Sequence, residues 1–294
     1  MAVSRQGFLS YCAVYMGFIL INSAFNFYYV KVFMNFYHID EKWFQTAQVL
    51  FLIWNAINDP LFAYIQDSTN LKITKTRRES ILYCGPLFAL SFVLPWIPWG
   101  DNSWIVGLHL IIALFLWDTM YTFVGLAMCS LFTELSQEPE DRISLTRYAQ
   151  IASLLGSSSV MLLEFTSDSL HNFRAFQMTA VFIAVCSCLL FIYTGYNGHT
   201  IYDLQKMKDD VNVDISHKKT TNESYYKQAL QILSDRNFVA FIVTNFCHQF
   251  HLAFLNSFMV IVCDQLISED VISATVRKTF YGGMPILTTV CIFI

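Results

Sequence analysis

The feature that most constrains this chain of 294 residues is a series of long apolar runs separated by polar connections. A helix needs about 20 mostly apolar residues to cross the hydrocarbon core of a bilayer. Seven runs reach that length and an eighth continues to the last residue, which predicts spans at 8–36, 43–65, 81–99, 104–131, 148–170, 173–196, 238–267 and from 280 onward. We therefore expect an all-α polytopic membrane protein whose main partner is the lipid bilayer.

The composition agrees with that fold class and excludes several functions. Charged residues make up 14 % of the chain, against about 25 % in soluble globular domains. The net charge of −4 and the lack of a basic block argue against binding to nucleic acid. No catalytic triad order, zinc spacing or phosphate loop occurs, so neither an enzyme nor a cofactor is expected. His248 and His251 share a helix face, but such a pair is more often structural than a metal site.

The distribution of basic residues predicts the orientation in the membrane. If the N-terminus is cytoplasmic, thirteen Lys and Arg residues lie in inner segments and four in outer ones. Cytoplasmic loops carry the excess of Lys and Arg in membrane proteins. We therefore expect a multi-pass protein of the plasma membrane with its N-terminus in the cytoplasm.

A long polar stretch at 197–237 divides the chain into a six-span half, 1–196, and the start of a second half, 238–294. This layout is typical of transporters built from two helical halves, with the substrate bound between them. The last apolar run is only about 15 residues long, so we expect the chain to stop after about two helices of the second half. A receptor-like bundle of seven helices matches the complete spans, but neither the eighth run nor the cytoplasmic N-terminus.

The second predicted span contains a carboxylate, Asp59, which is costly in a membrane unless it faces a cavity, a partner or an ion. Asn55 lies one turn earlier on the same face and Asn58 is adjacent, so hard oxygen ligands for a small cation can converge here. Pro60 deprives the helix of one backbone bond and frees a nearby carbonyl. The alternatives are that Asp59 caps a broken helix or pairs with a basic residue.

Two segments carry a resemblance to a known family. The first is Asn58, Asp59 and Pro60, followed by Asp67 and the basic residues Lys72, Lys75, Arg77 and Arg78. The second is 133–148, in which an acidic cluster precedes Arg142, Leu145 and Tyr148. Both resemble the glycoside-pentoside-hexuronide:cation symporters, a branch of the major facilitator superfamily. The resemblance implies a major facilitator fold, incomplete here.

The resemblance also implies a cation site. In the sugar-transporting members the Asp59 position and a position one turn earlier are both acidic, and here the earlier one is Asn55. The threonine that the fourth span contributes corresponds to Thr122. The two carboxylates and the arginine that bind sugar in those members have no counterpart here. The first span, 8–36, contains no carboxylate, the fourth-span carboxylate corresponds to Gly125, and the fifth-span arginine corresponds to Gln150. A glycoside is therefore not the expected solute.

These observations together predict cation-linked symport of a small polar solute, with Na⁺ or H⁺ as the coupling ion. The predicted ion site is Asp59, Asn55, Asn58 and Thr122, and the predicted solute path includes Asp118 and Gln150. Asp118 also fits a buried partner for a neighbouring Tyr or Thr. The rival function is that of a non-transporting membrane protein, such as a scaffold or a receptor-like partner.

We also expect the acidic run 134–141 to pair with Arg77, Arg78 or Arg142.

Overall fold

Six long helices follow one another along the first two-thirds of the chain. The computed structural model describes residues 5–68, 74–168, 170–200, 202–203, 233–248 and 250. Lys72, His251, most of the predicted linker and the predicted spans beyond residue 250 lie outside the described residues, as does the side chain of Asp67.

The helices coincide with the first six predicted spans, which confirms the all-α prediction. They are α1 (Arg5–Lys31, continued by the π-helical turn Val32–Phe36), α2 (Glu41–Ser68), α3 (Arg77–Val93, continued by the 3₁₀ turn Leu94–Trp96), α4 (Ser103–Leu135), α5 (Pro139–Ser167) and α6 (Phe173–Asn197).

Helix α5 begins before the predicted fifth span, 148–170. Helix α5 already begins at Pro139, and Glu140 and Asp141 lie in its first turn. Proline suits the first helical position because its missing N–H has no partner there in any helix, and acidic side chains interact well with the positive helix end. The helix ends at Ser167 because the backbone of Asp168 adopts the left-handed conformation, with φ 45°.

Four of the six helices are long and apolar enough to cross a membrane on their own composition: Arg5–Phe36, Arg77–Trp96, Ser103–Leu135 and Phe173–Asn197. Helices α2 and α5 have a similar length but more polar residues, including Asp59 in α2 and the serines 157–159 in α5. Polar residues inside a membrane need protein neighbours rather than lipid.

Helix α1 packs on α5 and α6, α3 packs on α6 and α4, and α2 packs mainly on α4. The core between them is strongly aromatic, since Phe25 stacks on Trp117 with ring centroids 3.9 Å apart and Phe88 contacts Phe18, Trp117 and Phe191. Large rigid side chains of this kind fix the helix positions through dispersion and ring contacts.

Glycines permit the closest helix contacts. A Cβ atom added to Gly195 of α6 would lie 2.5 Å from the Leu82 Cβ and 3.0 Å from its Cα on α3. A Cβ atom at Gly156 of α5 would lie 2.9 Å from the Ile19 Cβ on α1. Small residues let helix backbones approach each other in membrane proteins, so these positions set two of the interhelical distances.

Charged residues join the ends of α3, α4 and α6. Arg77 Nε lies 3.6 Å from Glu134 Oε1, which confirms the predicted pairing of the acidic run with that arginine. Arg78 Nε donates to Asp203 Oδ2 at 3.0 Å, and the Thr200 hydroxyl donates to Glu134 Oε2 at 2.9 Å. The segment that follows α6 is therefore attached to the start of α3 and the end of α4.

The chain divides into two compact units, and Lys208–Tyr281 forms the second. Its described residues include a helix at 236–248, with exposed side chains. Asp235 caps that helix, because its carboxylate accepts from the Asn237 N–H at 2.9 Å and its carbonyl accepts from the Val239 N–H at 3.0 Å.

We expect Gly195→Ala to destabilise the protein, because the added methyl group meets a side chain and a backbone atom that cannot both move away. Overpacking of this kind costs about 1–3 kcal/mol. Gly125→Ala is the matched control, since its Cβ would lie 3.5 Å from the Phe18 Cζ, an ordinary van der Waals distance. Thermal unfolding of the purified protein in detergent measures both, and equal melting temperatures for the two variants would contradict the close α3–α6 contact.

Candidate functional site

The contact between α2 and α4 is polar in its middle. At one end, Trp54 Nε1 donates to Thr119 Oγ1 at 3.2 Å, and the indole stacks on Phe115. At the other end, Gln66 Nε2 donates to the Phe123 carbonyl at 2.7 Å. Residue numbers rise together along both helices from the first contact to the second, so the helices run parallel. The predicted ion site lies between these two contacts.

Asp118 of α4 is at the centre of this contact and is 3 % exposed. Its Oδ1 accepts a hydrogen bond from Asn55 Nδ2 at 3.0 Å, and its Oδ2 accepts one from Asn58 Nδ2. Both asparagines lie on α2, so a single carboxylate holds two successive turns of the neighbouring helix. Hydrogen bonds to a charged group are worth more than neutral ones, about 1.5–3 kcal/mol each.

Thr122, one turn after Asp118, connects α4 to Asp59. Its hydroxyl lies 3.0 Å from Asp59 Oδ1 and 3.4 Å from Asn58 Oδ1. A carboxylate oxygen and an amide oxygen therefore both lie within hydrogen-bond distance of the Thr122 hydroxyl. Oxygen ligands of these types suit a small hard cation.

Asp59 differs from its neighbours because its side chain is exposed, whereas Asn58 and Thr122 are buried. The next residue, Pro60, lies inside α2 and has no backbone N–H. The carbonyl of Ala56 therefore lacks its usual helical donor. A carboxylate that remains accessible beside buried oxygen ligands can accept an ion from outside the helix pair.

The structure brings together five of the six predicted site residues. Asn55, Asn58, Asp59 and Thr122 form one cluster, and Asp118, which the sequence assigned to the solute path, is part of it. Gln150 lies on α5, which packs on α1 and α6, and it makes no hydrogen bond to the cluster within the described part of the chain. Its role in a solute path stays a prediction.

Sequence reasoning missed Trp54, Thr119 and Gln66. Trp54 precedes Asn55 and Gln66 lies two turns after Asn58, so a polar stripe along α2 was available as a signal. On α4, Thr119 directly follows Asp118 and lies three residues before Thr122, so a polar cluster was present there too, but nothing in the sequence indicated that Thr119 faces Trp54.

Groups that bind transition metals do not converge in the described ranges. No cluster of three or more His, Cys, Asp or Glu side chains occurs among those residues. His248 is exposed, and its predicted partner His251 is outside the described part.

The sequence profile of the MFS/sugar transport protein family matches residues 10–293. The chain belongs to this family. Membership of the major facilitator superfamily, predicted from the motifs of α2 and the α4–α5 connection, is thereby confirmed, and the family points to a transporter rather than an enzyme. No solved structure matches the chain.

Two relatives are similar over most of this chain. It is 28 % identical to transmembrane protein 180 of Gallus gallus and 26 % identical to transmembrane protein 180 of Mus musculus. Each similarity covers 87 % of this chain and 53 % of the relative. The chain thus spans about half the length of the curated relatives it matches.

We expect Asn58→Leu to destabilise the protein, because it removes a donor from buried Asp118 and an acceptor from Thr122. Leaving a buried polar group without its partner costs about 1–3 kcal/mol. Asn26→Leu is the matched control, since Asn26 is exposed on α1 and donates to Asn22 of its own helix. Thermal unfolding in detergent measures both, and an equal loss in the two variants would show that the α2–α4 hydrogen bonds add nothing.

Proposed function

We propose that the protein is a secondary transporter that links the movement of a small polar solute to a small cation, Na⁺ or H⁺. The cation is held by Asp59, Asn58 and Thr122, with Asn55 beside them. The protein lies in the plasma membrane with its N-terminus in the cytoplasm, and Gln150 lines the solute path. Family membership supports transport in general, and the ion and the solute are part of the proposal.

The observation that carries this proposal is the arrangement around Asp59. The exposed carboxylate of Asp59 lies beside two buried side chains with oxygen ligands, Asn58 and Thr122. Asp59 Oδ1 and Thr122 Oγ1 are 3.0 Å apart. A purely structural aspartate in a membrane helix is better satisfied when it is buried and bonded on both oxygens, as Asp118 is. Within the described residues, Asp59 instead accepts a hydrogen bond at Oδ1 and none at Oδ2, which suits a group that exchanges an ion.

A second function, that of a non-transporting scaffold or receptor-like membrane protein, is favoured by a different observation. Asn55, Asn58 and Asp118 already satisfy one another across the α2–α4 contact, so the pair of helices is held without any ion. The carboxylates and the arginine expected for a sugar site are also absent at the matching positions, including Gly125 and Gln150. In this alternative Asp59 is dispensable.

Cation-dependent thermal stabilisation distinguishes the two functions. A ligand present at 100 times its Kd adds about 2.7 kcal/mol to the stability of the folded state. For a chain of this size that corresponds to a rise in melting temperature of roughly 5 °C. We expect this rise for the wild type with Na⁺, or on lowering the pH, and its loss in Asp59→Asn.

The measurement uses the purified protein in detergent, with choline chloride in place of NaCl to keep the ionic strength constant. Asp101→Asn is the control, since it removes the same charge from an exposed position between α3 and α4. It should respond to the cation as the wild type does. If neither Na⁺ nor protons stabilise the wild type, the symporter proposal is wrong and the scaffold alternative takes its place.

A further inference from the structure

Among the residues that the structure describes, Asp118 is a buried carboxylate that forms no ion pair with a basic side chain. In the described ranges, ion pairs join Lys31 to Glu164, Arg77 to Glu134 and Arg78 to Asp203. Asp118 bonds instead to the two amides of α2, at Asn55 and Asn58. A carboxylate held in this way needs a reason beyond charge neutralisation, because burying it inside a helical bundle is costly.

The chemistry of a carboxylate supplies that reason. An ionised carboxylate only accepts hydrogen bonds, whereas an amide side chain can present either its NH₂ group or its carbonyl oxygen. Facing Asp118, both asparagines must therefore present NH₂. Their carbonyl oxygens are turned away from Asp118, and that of Asn58 lies 3.4 Å from the Thr122 hydroxyl.

That hydroxyl is also the group that contacts Asp59, at 3.0 Å. The orientation of the Asn58 amide thus decides whether an oxygen or an NH₂ group faces the Thr122 and Asp59 oxygens. An oxygen there adds a ligand for a cation. An NH₂ group would repel a cation and would itself bond to Asp59.

We propose that Asp118 is a positioning residue for the cation site: it fixes the amides of Asn55 and Asn58 so that their carbonyl oxygens, not their NH₂ groups, are available to the ion. This inference rests on the proposed function and assigns Asp118 to the ion site instead of the solute path. In this role Asp118 acts on the ion through the two asparagines, because each of its oxygens accepts a hydrogen bond from one of their amides.

The test compares the Na⁺ concentration that gives half of the maximal thermal stabilisation in the wild type and in Asp118→Asn. An asparagine at this position no longer selects one amide orientation, so we expect the half-maximal Na⁺ concentration to rise at least about tenfold. A tenfold change is the minimum expected from losing one charge-assisted hydrogen bond.

Thr119→Val is the matched control. It removes the hydrogen bond from Trp54 in the same α2–α4 contact, one residue from Asp118, but it leaves the amide orientations unchanged. It should lower the melting temperature without Na⁺ and keep the wild-type half-maximal Na⁺ concentration. If Asp118 only clamped the two helices, Asp118→Asn would behave like this control, and the positioning role would be refuted.

If Asp118→Asn cannot be purified in folded form, the comparison is made between D118E and D118Q. These side chains have equal length, but only the first is restricted to accepting hydrogen bonds. We expect D118E to need at least about tenfold less Na⁺ than D118Q for half-maximal stabilisation. Equal requirements would overturn the inference.

The outcomes separate this inference from the proposed function. A Na⁺ response that disappears in Asp59→Asn but is unchanged in Asp118→Asn overturns the positioning role alone. A wild type that does not respond to Na⁺ also overturns it, because the role concerns oxygen ligands for a metal ion. The proposed function itself falls only if lowering the pH gives no stabilisation either.

Discussion

Helix α2 depends on α4 for most of its contacts, and the centre of that contact is a set of hydrogen bonds to one buried carboxylate. The hydrophobic effect drives little association between helices inside a membrane, because lipid chains are as apolar as the side chains they would replace. Hydrogen bonds that cross between helices therefore have more influence on which helices pair. Asp118, with Asn55 and Asn58, gives α2 both its partner and its register.

The rest of the six-helix unit supplies a stiff support for this contact. Helices α1, α3, α4 and α6 share an aromatic core, and close approaches at Gly195 and Gly156 fix two further helix pairs. Helix α2 is held mainly on one side, by α4, and the opposite side carries many exposed apolar side chains. Among the described helices, the candidate ion site thus lies on the one with the fewest helix neighbours, against α4, which also contacts α3 and α1.

Much of the fold could be predicted from the sequence, because a run of apolar residues constrains a membrane helix by length alone. The start of α5 could not, since residues 139–147 are mostly polar and only the proline and acidic residues at its first turn indicated a helix. The spacing of Asn55, Asn58 and Asp59 correctly suggested one shared face. The place of Asp118 was missed, because the register between two helices is a tertiary property that no spacing along one helix contains.

The attachment of the segment after α6 has a practical consequence for protein engineering. Arg78 and Glu134 hold Asp203 and Thr200, so the chain is still part of the first helical unit for several residues after α6 ends at Asn197. A reporter or protease site inserted directly after that helix would separate both side chains from their partners and expose two charges at the ends of α3 and α4. An insertion a few positions farther along the chain leaves this junction intact, although the helix boundary alone would suggest the earlier position.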